Sequence, residues 1–454
     1  MQILICAAAL YISAGCGVKH RQAPQIPDTA YRQAIADAQK AGFTVKLPVQ
    51  TMPPDSENAA TVYSDLTAHL RLYPLTKSDS EAEKYSGLPD TEAVQIARIR
   101  SLVKRRSDII RFAHQAASRP KCVFSRKRDF PDPAGIDFHL FGSIRRALRL
   151  LSLESLIMAH NGKGVAAVRN QTLCFRLAEH AGSVGTLPSL LEKIGCDCKT
   201  LHGLQNIMLE SHGDAQVAKA VRQAINDSWR QPELGPALRQ ETTNQIAIVD
   251  WSRRIGPGPS LKTVNGKIVT FTRKISDDEA KQWHSTMNAN GIYILEQMRK
   301  ITEVADLPYP EAYAREEAII DERNRRNPPE SRHPIHTIDD VMKWPEKANY
   351  MYAADLLPGD TDLLDRKTLD IAYANVCSTT ASIFEYKAAH GDFPITLTDI
   401  KSATSIDPFD LKPLRYRREG KGFVVYSVGP TLKYDGGKPG QELSRDEAAF
   451  RYEP

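Results

Sequence analysis

The sequence lacks the motifs that would assign a reaction directly. It contains no nucleophile elbow, no phosphate-binding glycine loop and no His-Glu-x-x-His metal motif. Its seven cysteines are scattered without regular spacing through 454 residues, a usage that argues against a disulfide framework. The net charge of +5 is weak and indicates no obligate polyanionic partner. We therefore assign no catalytic residue from the sequence.

Long apolar runs are also scarce, and the clearest one lies at the start of the chain. Ile3–Ile12 is an apolar core followed by small residues, which is the shape of a short export signal. Ser13-Ala14-Gly15-Cys16 resembles a bacterial lipobox. The resemblance implies export to the cell envelope and a membrane anchor through a lipid on Cys16. Simple cleavage, a retained anchor and a cytoplasmic protein with an apolar start are the alternatives.

What the chain does have is the composition of a globular protein and strong helical periodicity. Apolar residues make up 41% and charged residues 25% of the chain, which is ordinary for folded domains. Apolar positions run nearly all round Phe138–Ala181, with a reversal at Asn161-Gly162-Lys163-Gly164, and this predicts a buried helical hairpin. A second hairpin is expected over Thr186–Trp229. The fold class is therefore mainly α, with helical hairpins in a bundle or solenoid-like array.

Turns and caps divide the remainder of the chain. Asn265-Gly266 predicts a short β-hairpin, and Ser276 with the acidic residues after it predicts the start of a long helix. The expected organisation is an export-like signal over 1–16, a tether and short helix over 17–52, a helical domain over 53–255, a hairpin plus helical extension over 256–361, and a C-terminal module over 362–454.

One segment is strongly basic. Eleven Lys or Arg and one acidic residue lie between Arg98 and Arg128, and a single long helix is expected over Thr91–Ala117. The candidate basic surface consists of Arg98, Arg100, Lys104, Arg105, Arg106 and Arg111. It could face nucleic acid or lipid headgroups, or it could be a solvated helix face, which we favour. Because few aromatic residues are interleaved and the protein is expected to be exported, we expect no nucleic-acid partner.

A group of soft ligands in the middle of the chain resembles a zinc set in composition. It consists of Cys174, His180, Cys196, Cys198 and His202. On one unbroken helix, Cys196 and Cys198 point about 200° apart, so they cannot both bind one ion. We expect Cys198 to act as a small buried apolar side chain.

The C-terminal module carries the most specific pattern. The apolar spacing of Arg366–His390 predicts an amphipathic helix, and Leu414–Arg417 and Phe423–Val428 predict an antiparallel hairpin. The motifs Gly-Asp-Phe-Pro, Asp407-Pro-Phe, Tyr-Ser-Val-Gly-Pro and Asp435-Gly-Gly occur in that order. Together these features resemble the globular end of the major pseudopilin of type II secretion systems.

That resemblance implies a small α+β module in which a long helix packs on a sheet. It also implies a calcium ion in the final loop, held by Asp435 with Asp407 and Asp410 as helpers, although a plain structural turn is the alternative. No other cofactor is expected. The pseudopilin membrane helix has no counterpart, because the nearest look-alike, Gly42-Phe43-Thr44-Val45, leads into a polar, proline-rich stretch.

The segment Pro53-Pro54-Asp55-Ser56-Glu57, with Tyr63, is expected to begin a helix. It resembles the corresponding segment of a group of exported, helical bacterial proteins for which no activity is established. The sequence thus predicts a non-catalytic scaffold or binding protein with protein partners in the cell envelope. An adaptor of a type II secretion or pilus-like apparatus and a cryptic hydrolase in the helical domain are the alternatives. The oligomeric state stays open.

Overall fold

A computed structural model describes residues 26–47, 50–83, 93–125, 139–256, 260–264, 267–271, 275–326, 338–343, 357, 362–400, 406–433 and 448–452. Within these ranges the chain is mostly helical, with a small three-stranded antiparallel sheet near the carboxyl end. The expectation of a mainly α fold is confirmed. Of the helices described, none combines the length and apolarity that a bilayer span requires.

The helices are α1 (Asp28–Lys40), α2 (Ala59–Leu72), α3 (Lys77–Glu83), α4 (Ala93–Arg105), α5 (Ser107–Ala117), α6 (His139–His160), α7 (Gly164–Gly182), α8 (Leu187–Glu210), α9 (Ala215–Ser228), α10 (Leu234–Ile255), α11 (Asp277–Val304), α12 (Tyr309–Arg326), α13 (Ile338–Lys343) and α14 (Asp362–His390). The strands are β1 (Ser260–Val264), β2 (Lys267–Phe271), β3 (Arg415–Glu419), β4 (Gly422–Tyr426) and β5 (Ala449–Tyr452).

The helices predicted for the two hairpins are present as α6, α7, α8 and α9. The first hairpin is confirmed, since α6 packs on α7, whereas α9 packs mainly on α14 and α7 and only slightly on α8. Local capping explains where their helices begin, because the Thr186 hydroxyl accepts a hydrogen bond from the Ser189 amide and Asp214 caps α9 in the same way. Ser276 and Glu279 form the reciprocal capping box that starts α11. The predicted β1–β2 hairpin is also confirmed.

The single helix expected over Thr91–Ala117 is wrong, since α4 and α5 are separate helices. The break lies at Arg106, whose guanidinium is buried and donates hydrogen bonds to the carbonyls of Tyr73 and Pro74. At this residue the backbone leaves the helical conformation, with φ −111° and ψ 31°.

Two hydrophobic clusters form the core. The smaller joins α2 and α4–α6 to one face of α7, around Tyr63, Ile144 and Leu151. The larger begins at Tyr31 in α1, runs through α8–α12, and continues through α14 to Phe450 and Tyr452 in the C-terminal sheet. The C-terminal module therefore shares its core with the helical body.

The C-terminal sheet has the order β3-β4-β5, with every neighbouring pair antiparallel. All five residues of the central strand β4 are buried. The predicted hairpin is confirmed as β3 and β4, whereas β5 is an addition that the sequence did not predict. In β5, Phe450 and Tyr452 point into the core and pack with Phe384 of α14.

Candidate functional site

The site with the most unusual chemistry is a buried polar cluster between α8 and α14, at the interface of the helical body with the C-terminal module. It arises from the sequence of α8, where Lys193 and Asp197 are four residues apart and therefore share one face. Both side chains are buried, and Asp370 of α14 lies opposite them and is completely buried. Charged groups are rarely placed in such an environment without partners.

Lys193 is held by three oxygen atoms. Its Nζ lies 2.6 Å from Oδ2 of Asp197, 3.2 Å from Oε1 of Glu179 in α7, and 3.0 Å from the carbonyl oxygen of Arg230. Because an ammonium group has three protons to donate, these contacts use its full donor capacity. Lys193 and Asp197 consequently form a buried ion pair.

The carboxyl group of Asp370 has weaker hydrogen-bond donors than that of Asp197. Its Oδ2 accepts a hydrogen bond from Nε1 of Trp229 at 3.2 Å, and its Oδ1 lies 3.7 Å from Sγ of Cys198. Both groups are uncharged donors. A buried carboxylate without a cation of its own is costly, so it is neutralised by a proton where no other charge can pair with it.

The pKa shifts in the cluster have the same physical cause. Burial, together with the charge on Asp197, raises the pKa of Asp370 well above its ordinary value. Burial also raises the pKa of Asp197. For Lys193, burial opposes the charged form, but the carboxylates of Asp197 and Glu179 raise the pKa of the ammonium above its ordinary value. The cluster thus contains the Lys193–Asp197 ion pair beside the carboxyl group of Asp370, whose environment favours the protonated form.

Sequence reasoning missed this cluster. Cys198 was expected only as a buried apolar side chain, and it is buried, yet its thiol also donates to Asp370. The available signal was the placement of Lys193 and Asp197 among apolar positions of a long helix. Their partner lies more than 170 positions along the chain, so no local pattern identifies it.

Asp407 and Asp410, two members of the predicted calcium set, are engaged by protein donors. Asp407 is completely buried and accepts hydrogen bonds from the amides of Phe409 and Val428 and the hydroxyl of Ser427. Burial raises the pKa of its carboxyl despite these donors. Asp410 pairs with Arg415 at 2.6 Å.

The third predicted calcium ligand, Asp435, lies outside the described residues, as does Cys16. Among the residues that are described, no three His, Cys, Asp or Glu side chains are arranged to hold a metal ion. In the loop around Asp407, the carboxylate joins the segment before β3 to the segment after β4, which is a structural role. Calcium binding stays a prediction.

The basic residues are placed on and around α4 and α5. Arg98, Arg100, Lys104, Arg105 and Arg111 are exposed. Arg106 does not belong to this surface, because it is buried.

Two of the exposed arginines make specific contacts within the protein. Arg105 forms a 2.6 Å ion pair with Asp79, and Arg100 donates a hydrogen bond to Oδ1 of Asn161 at 3.1 Å. Exposed pairs of this kind contribute little to stability, and the role of the basic surface stays a prediction.

The soft ligands considered for zinc are separated by the continuous helix α8. Cys196 faces the smaller hydrophobic cluster and Cys198 the larger one, as the 100° rotation per residue requires. His180 contacts Tyr63 through Nδ1 at 2.9 Å, and the His202 ring packs edge-on against Tyr373. Burial lowers the pKa of each histidine to about 4.

A pocket of about 70 Å³ lies beside the smaller cluster. Its lining residues are Gln50, Cys122, Val123, Phe124, Ser125, Ser183 and Val184. Cys122 is the titratable side chain of this lining, and burial raises the pKa of its thiol to about 12. The pocket does not assemble the pair of titratable groups that acid–base hydrolysis needs.

Compared with models of known protein families, with curated proteins and with solved structures, the chain matches none of them. The resemblance to the pseudopilin tail therefore depends on the residues of the C-terminal module alone.

Proposed function

We propose that the protein is a non-catalytic scaffold of the cell envelope, exported and anchored by a lipid on Cys16, with a pseudopilin-like C-terminal module built into its body. The observation that carries the proposal is the position of α14. This helix packs on α8 and α9 and also on the C-terminal sheet, so the module and the helical body form one continuous support. The ion pair between Arg222 and Glu385, whose Nε and Oε1 atoms are 2.8 Å apart, also joins α9 to α14 at the partly exposed edge of their interface.

The anchor is tested by radiolabelled palmitate incorporation in cells that express the wild type or Cys16→Ser. We expect label in the wild type and none in the variant, because the lipobox cysteine is the residue that is acylated. Ser13→Ala serves as the matched control, since it changes the same segment and keeps the cysteine. Label in neither protein would remove the anchor, and equal label in both would place the lipid elsewhere.

A second candidate, an adaptor that docks a pseudopilin-like apparatus, is favoured by two leucines of the module. Leu411 and Leu432 are about half exposed, and both have positive φ, 60° and 54°. Left-handed backbone costs a non-glycine residue about 1–2 kcal/mol, and retained strain of this kind is concentrated at functional sites. Both residues lie on the segments that Asp407 joins.

A pull-down with purified major pseudopilin subunits tests this candidate. We expect capture by the wild type and loss of capture in the Leu411→Asn, Leu432→Asn double variant, which keeps residues that tolerate positive φ. Ile395→Asn is the control, because Ile395 is also exposed but lies on a different loop. Capture that survives the double variant, or no capture by the wild type, would count against the adaptor.

A further inference from the structure

The buried cluster between α8 and α14 contains one more acidic group than its lysine can pair. Lys193 is fully engaged by Asp197, Glu179 and the Arg230 carbonyl, and none of these contacts reaches Asp370. The groups that face Asp370 and its neighbours are Lys193, Asp197, Cys198 and Lys199 of α8, Glu179 of α7, and Trp229 after α9.

We propose that Asp370 is a proton-dependent lock: its carboxyl is protonated while α14 is packed on the helical body, and loss of that proton weakens the packing. In the packed state the carboxyl is completely buried and meets only neutral donors. An ionised Asp370 would place a second negative charge beside Asp197, and the single charge of Lys193 cannot balance both.

The direction of the pH effect follows from proton linkage. Burial raises the pKa of Asp370 in the folded protein above the ordinary 3.8, so the folded protein binds more protons than the unfolded chain once the pH exceeds that ordinary value. Stability from this group is therefore greatest at acid pH and falls as the pH rises toward the folded pKa. Each proton released on unfolding changes the unfolding equilibrium constant about tenfold per pH unit.

The test compares the full chain with Asp370→Asn by urea unfolding between pH 5 and pH 9. Asparagine has the shape of the protonated acid and can still accept from Trp229. We expect the unfolding constant of the wild type, relative to that of the variant, to rise at least tenfold between pH 5 and pH 9. Parallel curves, or a variant that is weaker by the same factor at every pH, would overturn the lock.

A second measurement keeps the test independent of unfolding. Because the indole of Trp229 donates to Asp370, tryptophan emission in the native protein should shift with pH in the wild type, and that shift should be absent in Trp229→Phe. A shift of the same size in Trp229→Phe would contradict the lock.

Glu385→Gln is the matched control variant. Glu385 lies in the same helix and pairs with Arg222 across the same interface, but it is partly exposed. Its unfolding constant should differ from that of the wild type by the same factor at pH 5 and pH 9. A pH-dependent difference as large as that of Asp370→Asn would place the effect in the interface as a whole and would overturn the assignment to Asp370.

Discussion

At the residue scale, the protein depends on a few buried polar groups whose partners come from distant parts of the chain. Lys193 illustrates the principle, because it neutralises Asp197 and also reaches a backbone carbonyl beyond α9. Removing one member of a buried ion pair is more damaging than removing both, since the remaining charge keeps its desolvation penalty.

We expect Lys193→Met to lower the free energy of unfolding by about 3–5 kcal/mol at pH 8. The loss should be smaller at pH 5, because a proton can then neutralise the Asp197 carboxylate. Urea unfolding at the two pH values measures both quantities. Lys219→Met, at an exposed lysine of α9, should stay within about 0.5 kcal/mol of the wild type. A loss that is the same at both pH values would show that Asp197 is not the group left unpaired.

One glycine is required by the contact that the C-terminal module makes with the body. Gly213 has a φ of 71°, and a Cβ atom there would lie 2.3 Å from the ring of Phe384. Gly162 has a similar φ of 74° but open space around it. A comparison of substitutions at Gly213 and Gly162 therefore separates the cost of left-handed backbone from the cost of steric overlap with Phe384.

We expect Gly162→Ala to cost about 1–2 kcal/mol of unfolding free energy from left-handed strain. Gly213→Ala should cost a further 1–3 kcal/mol or so, because the ring of Phe384 must move. Thermal or urea unfolding measures both, and Phe384→Leu in the Gly213→Ala background should recover part of the difference. Equal losses at the two glycines would mean that the ring adjusts without penalty.

At the scale of elements, the C-terminal sheet is fastened by a loop carboxylate as well as by strand pairing. Asp407 collects donors from residues two and about twenty positions away, so it fixes the entry to β3 relative to the exit from β4. A buried acceptor that satisfies several backbone amides cannot be removed without leaving those amides unpaired.

Asp407→Ala should therefore lower the unfolding free energy by about 3 kcal/mol or more, since each orphaned buried donor costs about 1–3 kcal/mol. Asp410→Ala, which removes a partly exposed pair with Arg415, should cost about 1 kcal/mol or less. Chemical unfolding, followed by circular dichroism, compares the two. If Asp410→Ala were the more damaging change, the loop would be organised around the Arg415 pair instead.

At the scale of the whole molecule, the helical body and the C-terminal module are parts of one core. The aromatic cluster around Phe384 includes Phe423 and Tyr452 at centroid distances of 5.5 and 5.0 Å. Nearer the start of α14, Tyr373 and Cys377 contact α8. The apolar side chains of α14 therefore complete the core of both the helical body and the C-terminal sheet, and neither part has a complete core without this helix.

We expect a chain that ends at residue 361 to lose cooperative unfolding and to bind a hydrophobic dye, because removal of α14 uncovers the apolar faces of α8 and α9. The full-length protein should show a single transition without dye binding. Calorimetry and dye fluorescence on the two proteins check this. A truncated chain that unfolds cooperatively at the wild-type midpoint would show that the body is an independent domain.

The parts of this fold that could be predicted from the sequence are those set by neighbours in the chain. Asp214 caps the start of α9, and Ser276 forms a capping box with Glu279 at the start of α11, so both starts are set by residues within four positions. Asn265-Gly266 indicates the turn of the β1–β2 hairpin. The parts that could not be predicted depend on distant partners. The strand β5 is defined by its pairing with β4 and its packing on α14, and α8 supplies much of the environment of Asp370. The buried position of Arg106 likewise depends on a distant segment, because its guanidinium donates hydrogen bonds to the carbonyls of Tyr73 and Pro74.

The position of α14 between the two layers also sets an order of events during synthesis. Cys198 and Asp370 are separated by 172 positions, so the apolar face of α8 leaves the ribosome long before the helix that covers it. At roughly 5–20 residues per second, the interval is about 10–30 s. Because uncovered apolar surface promotes aggregation, we expect a delay in the synthesis of the last ninety residues to favour aggregation of the unfinished chain.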